Sequence, residues 1–294
     1  MIYVIVGPTG IGKTKLSIAL AEHFNTEIIS GDSVQVYKEL SIGSAKISEK
    51  EMKGIPHHLI DILEPTEDFS VALFQKLVRG KIKELEDNHK IPLIVGGTGL
   101  YIKSVLYNYN FEDTKRDNTL ELKYQELSNE EVHKILEEKD FKASKNIHPN
   151  NRKRVLQAIS RSDSNKVSEN TSKDEKMYDF KIIGLTLERE LLYQRINKRV
   201  DKMIKKGLIK EVKTLYDKGI NGNSVSAIGY KELYSYFDKK VTLDEAIDKI
   251  KQKSRNLAKK QFTFFNNQFD INWLEVDLFD FDNTIKEAVK ILEE

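Results

Sequence analysis

The feature that most constrains this 294-residue chain begins at its second residue. Ile2-Tyr3-Val4-Ile5-Val6 reads as a short apolar strand and runs directly into Gly7-Pro8-Thr9-Gly10-Ile11-Gly12-Lys13-Thr14. A helical pattern with Leu16, Ile18, Ala19 and Leu20 follows. A strand, a G-x-x-x-x-G-K-T loop and a helix, in that order, form a phosphate cradle. The glycines let backbone N–H groups close on phosphate oxygens with no Cβ between them. Lys13 adds a point charge, and the Thr14 hydroxyl stands where a Mg²⁺ ligand belongs. The cradle predicts a di- or triphosphate ligand.

The rest of the chain supplies a frame for that loop. Apolar runs at residues 27–30, 91–95, 180–185 and 272–277 resemble the first one, and helical patterns separate them. Runs of this kind are buried parallel strands, so the fold class is α/β, a P-loop NTPase-like doubly wound parallel sheet. Between 109 and 177 the texture changes to helical segments, opening at the capping box Ser128-x-x-Glu131 and at His148-Pro149-Asn150-Asn151, and to a polar loop over 162–176. This predicts a core over 1–110 and 177–294 and a small helical insertion domain over 111–176. From 189 to 267 the pattern is helical again, with Leu191, Leu192, Ile196, Val200 and Met203 on one face. A later helix opens at Thr242-x-x-Glu245 and carries Ile247, Ile250, Leu257 and Phe264. A last one opens near Asp282 with Ile285, Ala288, Val289 and Leu292 on one face.

Composition removes whole classes of chemistry. There is no cysteine, so disulfides, thiol catalysis, iron–sulfur clusters and thiolate zinc sites are excluded. The histidines show no metal-binding spacing; His57-His58, the one cluster, reads as packing or hydrogen bonding. The N-terminal apolar run is short and feeds the loop, so no signal peptide is expected, and no window approaches the ~18 apolar residues of a membrane span. A cytoplasmic protein with no membrane partner is expected. The net charge of +2 leaves local clusters to decide about polyanions.

Ligands of such sheets bind beyond the C-terminal strand ends, so the residues there matter most. The second strand ends in Ser30-Gly31-Asp32-Ser33-Val34-Gln35. Asp32 is placed to be a general base or a Mg²⁺ ligand, or else to cap a turn. After Leu93-Ile94-Val95 a hydrolytic P-loop protein carries a metal-orienting Asp, whereas Gly96-Gly97-Thr98-Gly99 follows here. Glycines offer backbone room for a ligand and no carboxylate to activate water. The loop therefore reads as a holder of a diphosphate rather than a site that cuts one from ATP. Lys145, His148, Arg152, Lys153 and Arg154 crowd one helix start; Lys251, Arg255 and Lys259 fall at i, i+4 and i+8, flanked by Lys249, Lys253 and Lys260. Phe262, Phe264 and Phe265 lie just beyond. Bases and aromatics together suit a structured RNA.

Together these motifs resemble the bacterial tRNA dimethylallyltransferase family nearly end to end. The resemblance runs through Gly31-Asp32-Ser33-x-Gln35-Val36-Tyr37, Ile42-Gly43-x-Ala45-Lys46, Pro56-His57-His58-Leu59-Ile60-Asp61 and Val95-Gly96-Gly97-Thr98-Gly99-Leu100-Tyr101. It continues through His148-Pro149-Asn150-Asn151-x-x-Arg154, Arg199-Val200-Asp201-x-Met203, Ala227-Ile228-Gly229-Tyr230-Lys231-Glu232 and Arg255-x-Leu257-Ala258-Lys259-x-Gln261. It implies transfer of a dimethylallyl group from dimethylallyl diphosphate to N6 of the adenine 3′ of the anticodon. It also implies that the loop Gly7, Pro8, Thr9, Gly10, Ile11, Gly12, Lys13 and Thr14 holds the diphosphate, with Mg²⁺ near Thr14. Thr9 then contacts the oxygen bridging the prenyl carbon and the diphosphate, and Asp32 accepts the proton from N6. Ser33, Val34 and Gln35 would line the base, Asp32 and Thr98 would also bind tRNA, and Lys153, Arg154, Arg255, Lys259 and Lys260 would hold tRNA backbone; a monomer is expected.

The pattern departs from the family in three places. Ser226 stands where many members carry an arginine facing the diphosphate, which calls for another cation, Lys231 or Arg255. Gln157 stands where a further arginine is frequent, and the helical insertion is short. The alternatives are an adenylate isopentenyltransferase acting on free AMP or ATP and a small-molecule P-loop kinase. Charge reversal at Lys259 is expected to weaken tRNA binding and flatten its salt dependence, as read from dissociation constants over a salt series.

Overall fold

A computed structural model describes residues 1–109, 111, 119–163 and 175–294. The polar loop expected over 162–176 lies outside them between 164 and 174. In chain order the first elements are β1 (Ile2–Val6), α1 (Lys13–His23), β2 (Ile28–Gly31), α2 (Glu49–Met52), β3 (His57–His58), α3 (Val71–Asp87), β4 (Leu93–Gly96) and α4 (Gly99–Leu106). Next come α5 (Thr119–Lys123), α6 (Asn129–Lys139), α7 (Phe141–Asn146) and α8 (Arg152–Asp163). The chain ends with β5 (Phe180–Thr186), α9 (Arg189–Lys205), α10 (Leu208–Asp217), α11 (Tyr230–Phe237), α12 (Leu243–Gln268), β6 (Asn272–Glu275) and α13 (Phe281–Glu293).

Every strand pairing is parallel, in the order β3-β2-β4-β1-β5-β6. This is the α/β class expected from the apolar runs. All five β1 residues are buried, because helices cover both faces of the sheet. The pair His57-His58 is a short edge strand beside β2. His58 Nε2 meets Glu27 Oε2 at 2.6 Å and His57 Nδ1 meets the Ile55 carbonyl at 2.8 Å, so both rings are hydrogen-bonded.

The chain forms two compact units, Met1–Asn108 with Lys176–Glu294, and Tyr109–Glu175. The second unit has its own core of Tyr124, Val132, Leu136, Val155, Leu156 and Ile159. Its α6 opens on the expected capping box at Ser128 and Glu131. Arg152 is spent inside this unit, donating to the Leu127 carbonyl at 2.8 Å and also to the Tyr124 carbonyl. Lys153 and Arg154 are exposed on α8.

In the first unit two apolar faces differ from those expected. On α9 Leu192, Ile196 and Val200 are buried, but Leu191 is 38% exposed. On α12 the buried residues are Ala246, Ile250, Ala258 and Phe265, and Leu257 is 38% exposed. Consecutive helical residues lie about 100° apart, so the neighbour of a buried position falls on the flank. The terminal helix α13 opens one residue earlier than expected and buries Ala288 and Leu292.

The ends of β2 and β4 approach unusually closely. Gly31 and Gly96 are register partners, and a Cβ on Gly96 would stand 2.3 Å from the Gly31 carbonyl oxygen. Backbone cannot yield there. Gly96→Ala should therefore cost about 3 kcal/mol in urea unfolding. Gly80→Ala on α3, with nothing near its would-be Cβ, should stabilise by roughly 0.5–1 kcal/mol.

Candidate active site

Parallel strands deliver their C-terminal ends to one edge, and three of those ends make the site. Val6 at the end of β1 pairs with Gly96 at the end of β4, and Gly96 pairs with Gly31 at the end of β2. The phosphate loop, the Asp32 turn and the Gly97-Thr98 segment are thereby brought side by side. The Thr98 N–H donates to the Gly31 carbonyl at 3.4 Å, and its hydroxyl reaches Ser33 Oγ at 3.5 Å.

Loop residues Gly7, Gly10 and Gly12 all have left-handed φ, and Gly12 at φ 118° is the N-cap of α1. No side chain caps α1 and no acidic residue stands in its first turn. Its first N–H groups thus remain available for an anion, with the helix dipole behind them. Lys13 folds over the loop and donates to the carbonyls of Gly7 at 2.8 Å and Pro8 at 2.9 Å. Burial, with the nearby Arg199 charge adding to it, pushes the Lys13 ammonium down to about 8 against the opposing pull of Asp32. Thr14 is exposed at the mouth of the loop.

Asp32 does cap a turn. Its Oδ1 accepts from the Val34 N–H at 2.8 Å and the Gln35 N–H at 3.2 Å. Oδ2 accepts no hydrogen bond from the described residues. The same carboxylate lies close enough for its charge to act on both Lys13 and Arg199. Turn cap and reactive carboxylate are therefore compatible uses of one side chain.

Beyond Gln35, the Glu211 carboxylate takes the N–H groups of Ser41, Ile42 and Gly43 at 3.1, 2.7 and 3.0 Å, and the Tyr230 hydroxyl at 2.7 Å. Gly43 admits no Cβ because the Tyr230 ring would stand 2.6 Å away. The I-G-x-A-K and A-I-G-Y stretches are thus two sides of one contact, and it backs the Ser44 carbonyl to which Gln35 Nε2 donates at 3.4 Å.

The glycines after β4 are not open space for a ligand. A Cβ on Gly97 would lie 2.3 Å from Gln261 Nε2, and one on Gly99 would lie 2.2 Å from the Phe264 ring. The room the sequence suggested is filled by the protein's own backbone and by α12.

Two cations that the sequence reading did not place there reach the loop from α9, Arg195, whose Nε donates to the Gly10 carbonyl at 3.0 Å, and Arg199. Lys231 is exposed on α11, while Arg255 Nη1 donates to Asn197 Oδ1 at 2.7 Å. Arg199 lies against Gly10, its Cδ 4.0 Å from where a Cβ there would be. Its Nε is buried and finds no acceptor among the described residues. Burial holds its guanidinium below the ordinary range, with Asp32 opposing. Leu192, Ile196, Arg199 and Met203 follow helical spacing, so a cation occupies a slot in an apolar stripe, but the stripe does not say what that cation meets. Along α12, Lys251 pairs with Asp201 and Lys253 with Glu232, each at 2.7 Å, whereas Lys259 and Lys260 are exposed.

An uncapped helix start, two half-buried cations and one carboxylate are thus gathered around the loop. The family model described as IPP transferase matches residues 35–268, and one described as isopentenyl transferase matches residues 1–65. The chain belongs to the IPP transferase family. A tRNA dimethylallyltransferase of Bacillus licheniformis is 50% identical over 284 residues, 94% of this chain and 90% of the relative. The Bacillus subtilis tRNA dimethylallyltransferase is 49% identical over the same span. Among solved structures, the Bacillus halodurans tRNA isopentenylpyrophosphate transferase superposes with a TM-score of 0.76 at 46% identity, covering 99% of this chain and 97% of that one. A eukaryotic dimethylallyltransferase acting on tRNA gives 0.84 at 28% identity, covering 98% and 77%.

Membership of the IPP transferase family leaves the electrostatics of this loop to be measured. Lys13 has an ordinary value of 10.5 and one of about 8 when folded, so between those values the unfolded chain binds more protons. Stability should then rise with pH from about 8 to 10.5. Urea melts across that window should show a shallower rise in Lys13→Met than in the parent chain.

Proposed function

We propose that this chain transfers a dimethylallyl group from dimethylallyl diphosphate to N6 of the adenine 3′ of the anticodon in tRNA, releasing diphosphate. The observation that carries this reading is the Asp32 carboxylate beside two half-buried cations at an intact phosphate loop, with no acid following β4. A site without that acid suits a diphosphate held as a leaving group.

The loop N–H groups, Lys13 and Arg199 bind the diphosphate, and Thr9 donates its hydroxyl to the oxygen that bridges to the prenyl carbon. As that carbon–oxygen bond breaks, the negative charge passes to the diphosphate, where these preorganised donors stabilise it. The adenine N6 forms the new bond to carbon, and its proton goes to Asp32. Thr14 and Asp32 are hard oxygen donors, and no cluster of three or more acidic or histidine ligands occurs among the described residues. Mg²⁺ would be held at the loop by the Thr14 hydroxyl. When bound it would supply further charge neutralisation at the leaving group.

The adenine must leave its stack to reach Asp32, with Ser33, Val34, Gln35 and Thr98 around it. Lys259 and Lys260 on α12, Arg255 beside them, and Lys153 and Arg154 in the Tyr109–Glu175 unit would hold tRNA backbone. No helix among the described residues is long and apolar enough to cross a membrane. In this reading the enzyme works on tRNA in the cytoplasm, and we propose that it acts as a monomer.

Purified protein with dimethylallyl diphosphate and an unmodified anticodon stem-loop should yield N6-isopentenyladenosine by nucleoside mass spectrometry. Absence of product overturns the reading, and product from AMP instead would favour the adenylate enzyme. In the same assay Asp32→Ala should lower turnover by ~10²–10⁴ with tRNA affinity unchanged. A matching loss of affinity would make Asp32 a recognition residue.

A further inference from the structure

We propose that Gln261 is a positioning residue for the transfer step: its side-chain amide bridges the phosphate loop to the segment after β4 and so fixes where Thr9 presents its hydroxyl. Gln261 Oε1 accepts from the Thr9 N–H at 3.3 Å, and Gln261 Nε2 donates to the Gly97 carbonyl at 2.9 Å. One partner is a donor and the other an acceptor, so only an amide of this orientation satisfies both. The bridge is a close fit, because it is Gln261 Nε2 that denies Gly97 a Cβ.

The base of the bridge is firm. Ala258 and Phe265 are buried on either side of Gln261 along α12, and Phe264 packs where Gly99 leaves room. The phosphate loop, by contrast, has left-handed glycines at 7, 10 and 12 flanking Thr9 and no side-chain cap on α1. A loop of that composition does not hold one threonine orientation by its own covalent structure. Reaction geometry, however, tolerates little error: a displacement of about 1 Å can cost roughly 10²-fold. Gln261 lies one residue beyond Lys260 on the same helix, so the helix that presents outward cations also holds the loop.

This inference rests on the reading in which Thr9 meets the bridging oxygen of the donor. Its test is steady-state kinetics with dimethylallyl diphosphate and an anticodon stem-loop for Gln261→Ala, the isosteric Gln261→Glu, Thr9→Ala and the two double variants. Gln261→Glu keeps the packing but turns an acceptor toward the Gly97 carbonyl. Gln261→Ala and Gln261→Glu should each lower kcat about 10–100-fold with KM for the stem-loop within about threefold. Thr9→Ala keeps the backbone N–H and removes only the hydroxyl to be aimed. In that background either change at Gln261 should cost less than about twofold. If Gln261→Ala melts, Gln261→Glu carries the test. A raised KM with unchanged kcat would make Gln261 a tRNA contact, and losses that multiply in the double variants, or parental kcat in Gln261→Glu, would overturn the bridge. A parent chain that forms no product fails the proposed function instead, a result distinct from all of these.

Discussion

The structure is organised around positive charge that the fold leaves uncompensated. Lys13 and Arg199 are both buried enough to be driven toward lower proton affinity, and Asp32 is the one carboxylate that pulls against this at both. The uncapped start of α1 points partial positive charge at the same place. Removing two cations from water is costly unless a counter-charge is supplied. The diphosphate of the proposed reaction would supply it, and Arg199 Nε is buried with no acceptor among the described residues.

The scaffold gathers those charges at one edge of the sheet. Parallel pairing sends β1, β2 and β4 to a common edge, and the Gly31–Gly96 approach brings two of their loops closer than any side chain would allow. Helix α9 then carries Arg199 to the loop from one direction, with Arg195 Nε donating to the Gly10 carbonyl at 3.0 Å. Helix α12 arrives with Gln261. The glycines of the G-G-T-G stretch are conditions of this packing, whereas the loop glycines are conditions of a left-handed backbone. Glycine serves two different physical needs within one site.

The segment after Asp32 shows the same economy. Its turn is closed by the very carboxylate that stands beside the cations, and its far end is held by Glu211 and Tyr230. Motifs far apart in the chain thus turn out to be mutual packing partners. Their side chains are used up inside the protein, while Asp32, Ser33, Val34, Gln35 and Thr98 stand half-buried at the strand ends.

The sequence by itself determined the α/β class, the phosphate loop, the place of Asp32 and the capped starts of α6 and α12, because each is a local property: period, glycine spacing or a cap within three residues. It misplaced Leu191 and Leu257, since a helix turns about 100° per residue and only a partner decides which flank is covered. It also read Gly97 and Gly99 as open space, and it did not place Arg195 or Arg199 beside the loop. Those were decided by tertiary structure alone. Whether a glycine faces a ligand or a phenylalanine, and which arginine reaches a loop more than 180 residues away in sequence, depends on how α9 and α12 dock on the sheet, and no local pattern encodes that.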